Sequence, residues 1–172
     1  MIIDSYLSES VFRNFTIFDI LKRRKSYRSP LIFASILSVS ALICFIMNKI
    51  DGAVLLGSVL LIVGLGMPLV YFTTFFASLR KQVKAQNLNP PRLVYTLDLT
   101  DKEDGIHIEN GKEQVTYKWK KAHSAYNAKD CIYLYLTSDR AFLLPKANLK
   151  EEEKAVWHLI VKRLGADKCI EL

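Results

Sequence analysis

Two long uncharged runs constrain this chain more than any other feature of its sequence. Residues 31–47 and 52–79 contain no Asp, Glu, Lys, Arg or His, and only residues 48–51 separate them. As helices, the first run spans roughly 25 Å and reaches further if Ser29 and Pro30 form its first turn, while the second is longer. A bilayer core is about 30 Å thick. We therefore predict two transmembrane helices, at about 30–47 and 52–79, within a hairpin region of residues 30–88.

Basic residues flank the predicted hairpin on both sides and predict its orientation. Five lie within residues 22–28, just before the first helix, three follow the second (Arg80, Lys81 and Lys84), and the loop at 48–51 has no net charge. The positive-inside rule then places both chain termini in the cytoplasm. We expect a multi-pass protein whose external part is only a loop tip.

The segment before the hairpin, residues 1–29, combines a strand pattern with a basic helix pattern. Residues 11–16 alternate in the manner of a short strand. Thr16 and Asp19 fit a helix cap and its third position, which predicts a helix over about 17–28. Such a helix can bind anionic lipid headgroups, or its charges can simply fix topology and solvate the helix end, and both roles stay open. The candidate lipid contacts are Lys22, Arg23, Arg24, Lys25 and Arg28.

Small residues at helical spacing predict close helix packing inside the hairpin. Ala34 and Ser38 are four residues apart, as are Ala53 and Gly57, and Gly64 shares a face with Gly57. This spacing lets two membrane helices pack closely or supports a homo-oligomer. Neither helix holds an Asp, Glu, Lys, Arg or His, which argues against a proton relay, an ion pathway or a transporter site.

The residues after the hairpin, 89–172, predict a small α+β domain. Asn89-Pro90-Pro91 ends the second helix, and period-2 alternation begins at Leu93. A turn at 101–105 precedes a strand at 106–109, and Asn110-Gly111 predicts a tight hairpin. A return strand should place Val115, Tyr117 and Trp119 on one face, and further strands are expected at about 122–127, 131–137 and 141–145. A helix capped by Asn148 should end just before Gly165.

These elements predict six antiparallel strands and a C-terminal helix. An open sheet leaves exposed edges, so we expect the strand at 11–16 to join the sheet as a seventh strand. With it, the outline is that of a pleckstrin-homology-like roll, an antiparallel sheet domain with a C-terminal helix, which the membrane hairpin interrupts after the first strand.

The order of these features resembles a known family. The chain has a strand, a Thr16-x-x-Asp19 helix start, two membrane helices, an Asn-Pro linker, Trp119, and a Leu144-Pro145-Lys146 step. This arrangement is similar to the bacterial YcxB-like family. The resemblance implies a pleckstrin-homology-like C-terminal domain and a bacterial inner (plasma) membrane location. It implies an architecture and brings no catalytic residues.

No motif in the sequence indicates catalysis, a metal site or nucleic-acid binding. His107, His123 and His158 lack metal-ligand spacing, the three cysteines form no Cys-x-x-Cys pair, and no phosphate-binding loop occurs. The net charge of +7 is well mixed outside residues 22–28, unlike the concentrated stripe of a nucleic-acid binder. We expect no enzyme activity and no cofactor.

Three functional hypotheses fit this sequence. The first is a non-catalytic membrane protein that presents its cytoplasmic domain to a protein partner or to its own copies. The second is an anionic-lipid-binding or membrane-sensing protein that acts through the basic helix. The third is a small membrane immunity protein that intercepts a toxin, since compact two-span proteins suit that role.

Overall fold

The computed structural model describes residues 1–47, 49–99, 105–111 and 113–172. The described chain divides into two compact units. One joins Met1–Phe15 to Gln86–Leu172 and is called here the split domain; the other is Thr16–Ala85, the helical hairpin. Most of the predicted turn at 101–105 lies outside the described residues.

The described residues form five α-helices and eight β-strands. The helices are α1 (Glu9–Ile17), α2 (Arg28–Ile46), α3 (Ala53–Ala85), α4 (Lys146–Leu149) and α5 (Glu153–Leu164). The strands are β1 (Ile2–Leu7), β2 (Arg92–Asp98), β3 (Gly105–Asn110), β4 (Glu113–Lys118), β5 (Ser124–Asn127), β6 (Cys131–Tyr135), β7 (Ala141–Pro145) and β8 (Cys169–Glu171). The prediction of two long apolar helices followed by a β-rich domain with a C-terminal helix is confirmed.

The predicted strand at residues 11–16 is wrong, because these residues belong to α1. The Ser8 hydroxyl accepts a hydrogen bond from the Val11 amide at 3.4 Å, as a cap of α1 does. The strand that joins the sheet comes earlier, at β1, and its residues alternate between exposed and buried. Ser5 occupies one of the buried positions, which hides the apolar alternation that would have revealed β1.

The predicted helix start at Thr16 is also wrong. Thr16 lies inside α1, and a π-helical turn (Phe18–Arg23) follows directly. The chain leaves the helical conformation shortly after this turn, at Lys25, whose φ of 51° is in the left-handed region. α2 then begins at Arg28, two residues before the predicted start.

The split domain contains two four-stranded sheets. The first has the order β1-β2-β3-β4 and the second β7-β6-β5-β8. All described pairings are antiparallel except that of β8, which was not predicted and runs parallel to β5. Because β1 pairs with β2, the whole helical hairpin is the connection between two neighbouring strands of one sheet.

Three details of the predicted domain need correction. Val115 is exposed rather than in the core, and Trp119 is buried in a 3₁₀ turn after β4. Asn148 lies within α4, where its side chain donates to the Tyr6 carbonyl at 3.3 Å, so it does not cap α5. All five residues of β6 are buried. Gly165 does follow the end of α5, with a φ of 95°.

Candidate functional site

The outer surface of the helical hairpin is apolar and uncovered. α2 and α3 have 19 and 33 residues, and both are long and apolar enough to cross a membrane. Only 11% of the apolar window of each helix is buried, whereas the core helix of a soluble protein would be mostly buried. Exposed side chains on both helices include Ile36, Leu42, Leu55 and Ile62. Leaving so much apolar surface in water is unfavourable by about 25 cal/mol per Å².

Small residues form the contact between α2 and α3. A Cβ added at Gly57 would lie 3.1 Å from the Ala41 carbonyl oxygen, and one at Gly64 would lie 3.1 Å from Leu37 Cβ. Gly64 also faces Ala34 and Ser38, both within 3.4 Å of that added atom. A side chain at either glycine would therefore require its neighbours to move by a few tenths of an ångström.

The structure thus brings four of the five predicted small residues to one interface: Ala34, Ser38, Gly57 and Gly64. Ala53, the fifth, is half-buried at the start of α3. Ala41 is fully buried in the same contact, and the prediction missed it. Its signal was readable, since Ala34 and Ala41 are seven residues apart on α2 as Gly57 and Gly64 are on α3.

The five predicted lipid contacts do not form one equivalent set. Asp19 binds the Nε atoms of Arg23 and Arg24 through its two oxygens, at 2.6 and 2.8 Å. Arg23 is mostly buried in this arrangement, with 14% of its side chain exposed. The structure leaves Lys22, Lys25 and Arg28 exposed, and no ion pair involving them occurs among the described residues. These three cations can meet an external anion without first breaking an internal pair.

A buried polar cluster joins the two sheets of the split domain. The Ser5 hydroxyl donates to the Leu143 carbonyl on β7 at 2.6 Å. The Tyr95 hydroxyl, on β2, donates to the same carbonyl at 3.1 Å and accepts from the Leu143 amide. Burial raises the pKa of Tyr95 above its ordinary value, so the hydroxyl keeps its proton and can donate. The cluster connects three strands that lie far apart in sequence.

The thiols of the split domain lack the environment of reactive cysteines. Burial raises the pKa of Cys131 to about 12 and also raises the pKa of Cys169. The thiolate is the nucleophilic form, so neither shift favours nucleophilic chemistry. Among the described residues, no group of three or more His, Cys, Asp or Glu side chains could hold a metal ion.

His107 and His158 line two different clefts of the split domain. One, of about 340 Å³, lies on the first sheet, where His107 Nδ1 is 2.8 Å from the Thr116 hydroxyl. The other, of about 510 Å³, lies beside α5 and includes His158. His123 contacts the hydroxyl of Ser124 at 3.2 Å. Cys169 and Glu171 also line the second cleft, but among the described residues no hydrogen bond joins His158 to either of them.

Comparison with known families relates part of the chain to a described family. The family model described as YcxB-like protein matches residues 102–156, a stretch that includes β3 to β7 and the start of α5. The resemblance noted in the sequence is thereby confirmed over these residues. No curated protein and no solved structure matches the chain.

Proposed function

We propose that this chain, whose residues 102–156 match the YcxB-like family, is a non-catalytic integral membrane protein. It presents a cytoplasmic pleckstrin-homology-like module to a protein partner or to a second copy of itself. The observation that carries the proposal is the split domain. Its first strand precedes an apolar helical hairpin and its remaining strands follow it, so the proposed membrane anchor interrupts the domain in sequence.

We propose a bacterial inner membrane location, and the charge distribution supports an orientation with both termini in the cytoplasm. The basic residues at 22–28 precede α2, and those at 80–84 lie in the last turns of α3, at the end of the hairpin opposite the short loop. Positive charge at that end favours its retention in the cytoplasm.

Cysteine labelling in intact cells tests this topology. Lys49→Cys, in the loop, should react with a membrane-impermeant maleimide, and Lys84→Cys should react only after the membrane is opened. Both variants carry Cys44, Cys131 and Cys169 replaced by alanine. Labelling of Lys84→Cys in intact cells, or no labelling of Lys49→Cys, would contradict the topology.

The edge of the first sheet supports an interaction role. β4 is the last strand in the order β1-β2-β3-β4, and five of its six residues are exposed. Val115, at its centre, has 41% of its surface exposed. An unpaired edge offers backbone donors and acceptors to an added strand, which is a common mode of peptide recognition. We infer that a partner or a second copy adds a strand along β4.

Crosslinking in membranes tests strand addition with a matched pair of variants. A photoreactive residue at Gln114 should yield a defined adduct of the full-length chain. Val115→Lys should abolish that adduct, because a lysine on an edge strand opposes strand addition. Leu93→Lys is the control, since Leu93 is similarly exposed but lies on β2, inside the sheet. An adduct that survives Val115→Lys, or no adduct in the wild type, would refute this proposal.

Anionic-lipid binding is the second candidate function. It is favoured by the three exposed cations of residues 22–28, called here the basic segment. A Lys or Arg near an anionic membrane surface contributes about 1 kcal/mol, so Lys22, Lys25 and Arg28 together would contribute about 3 kcal/mol. A peptide of residues 9–29 should lose roughly a hundredfold of its affinity for anionic vesicles when the three become glutamine. Unchanged binding would rule out this role.

A further inference from the structure

The helical hairpin contains a groove in addition to the contact between α2 and α3. One wall carries Thr16, from the end of α1, and Ile20, from the π-helical turn. The other wall is a stripe on α3 that runs from Tyr71 to Gln82 at helical spacing. The groove has a volume of about 340 Å³, which exceeds the space of a few water molecules at about 30 Å³ each.

The groove spans the boundary between the apolar and the charged parts of α3. Arg80 is the first charged residue after the uncharged run. Tyr71 lies nine residues before it, about 13 Å along the helix axis, and Gln82 lies just beyond it. In the bilayer required by the proposed function, this depth is the border between headgroups and acyl chains, where aromatic residues concentrate.

The lining of the groove combines aromatic and polar side chains. Tyr71 and Phe75 supply the aromatic surface, and Thr74, Ser78 and Gln82 supply hydroxyl and amide groups. The Gln82 amide donates to the Ser78 hydroxyl at 3.3 Å, which orders the polar end of the stripe. A molecule that fills such a groove needs a polar part next to a hydrocarbon part, as a glycerophospholipid has.

The charge of the residues around the groove determines which headgroup charge the groove favours. Residues 16–25 and 78–85, which border it, carry seven basic side chains and one acidic side chain. The single acid, Asp19, already binds Arg23 and Arg24. The local field is therefore positive and favours an anionic phosphate over a neutral or cationic headgroup.

We propose that this groove binds one anionic glycerophospholipid from the surrounding bilayer. The phosphate lies at the end marked by Ser78 and Gln82, and an acyl chain lies along Tyr71 and Phe75. The inference rests on the proposed membrane insertion, and it adds a defined lipid site that the exposed cations of the basic segment do not provide.

Two neighbouring threonines provide a matched test. Thr73 and Thr74 are both exposed and both donate to backbone carbonyls of α3, but only Thr74 lines the groove. Thr74→Phe should fill the groove, whereas Thr73→Phe adds the same side chain outside it. The full chain is reconstituted in nanodiscs with equal amounts of phosphatidylglycerol and phosphatidylcholine, released into a mild detergent, and analysed by native mass spectrometry.

The wild type and Thr73→Phe should each retain one phosphatidylglycerol, at least tenfold over phosphatidylcholine, and Thr74→Phe should lose at least tenfold of that retention. Equal retention by the two variants, or equal retention of the two lipids, would overturn the proposal. If Thr74→Phe does not fold, Ser78→Leu replaces it, with Ala77→Leu as its control. Carbonate extraction of membranes distinguishes failure of the groove proposal from failure of the proposed membrane insertion. A chain that resists extraction but holds no lipid refutes only lipid binding in the groove. A chain that is extracted refutes membrane insertion as well.

Discussion

Replacing Ile3 by alanine tests whether a strand before the hairpin completes a domain after it. Ile3 is 4% exposed and lies opposite Leu97 in the pairing of β1 with β2. Its neighbour Ile2 is 69% exposed on the other face of the same strand. Ile3→Ala and Ile2→Ala therefore remove the same atoms from a buried and from an exposed site.

The burial of Ile3 sets the expected magnitude. A buried Ile→Ala substitution costs about 2–5 kcal/mol, whereas a surface substitution changes stability by about 0.5 kcal/mol or less. A domain has about 5–15 kcal/mol of total stability, so Ile3→Ala should remove a large part of it. At about 1.4 kcal/mol per factor of ten, the population of the open state should rise roughly 30- to 4,000-fold.

Hydrogen exchange on the full chain in detergent micelles measures this effect directly. The informative amides are those of Arg92–Asp98, which are separated from Ile3 in sequence by the whole hairpin. Their protection should fall at least 30-fold in Ile3→Ala and stay within threefold of the wild type in Ile2→Ala. Equal and small effects of the two variants would show that β1 is not part of the core.

Three further predictions follow from individual contacts. Gly64→Leu should destabilise the hairpin by about 1–3 kcal/mol in detergent-induced unfolding, and Gly66→Leu, which meets open space, should not; equal effects would contradict the helix contact. Ser5→Ala removes the donor to the Leu143 carbonyl and should cost about 1–3 kcal/mol in denaturant unfolding, while a change below about 0.3 kcal/mol would exclude this role. Burial raises the pKa of Cys131 from 9.0 to about 12, so the folded state favours the neutral thiol and stability should fall as pH rises from about 9 towards 12. Denaturant midpoints at about pH 8 and about pH 10.5 should show a shallower fall in Cys131→Ala, and an unchanged slope would contradict this assignment.

The hairpin could be predicted from the sequence because its signal is local. An uncharged run needs no knowledge of distant residues, and neither does the seven-residue spacing of Gly57 and Gly64. The pairing of Asp19 with Arg23 was equally readable as an i, i+4 pair. The predicted set of five equivalent cations overlooked it.

The position of the first strand could not be predicted in the same way. Residues 11–16 fit a strand by alternation, but Val11, Phe12 and Phe15 also fit one face of a helix, and the Ser8 cap selects the helix. β1 was hidden because Ser5 points inward, where a polar residue is stable only with a buried partner. That partner is the carbonyl of Leu143, 138 residues away, and sequence patterns carry no information about it.

The groove could not be predicted from the sequence either. Its lining residues on α3 form a readable stripe, but the opposite wall comes from Thr16 and Ile20, more than 50 residues earlier in the chain. Only the approach of these two segments turns a mixed aromatic and polar stripe into a binding site.

A disulfide between β1 and β2 tests the interrupted domain most directly. Asp4 and Thr96 are opposite one another, and the Thr96 hydroxyl donates to the Asp4 carboxylate at 2.8 Å. The full chain carries Asp4→Cys and Thr96→Cys, alanine at the native cysteines, and a protease site between Ile50 and Asp51. Asp4→Cys with Gln114→Cys is the control, because β1 and β4 are three strand spacings apart, about 14 Å, beyond the reach of a disulfide.

After oxidation and cleavage in the loop, the chains are denatured in detergent to break their non-covalent contacts. The Asp4–Thr96 pair should then hold the two fragments together until a reductant is added, and the control fragments should separate without it. Separation of the Asp4–Thr96 fragments under oxidising conditions would contradict the account, because β1 would then not be paired with the domain that follows the hairpin.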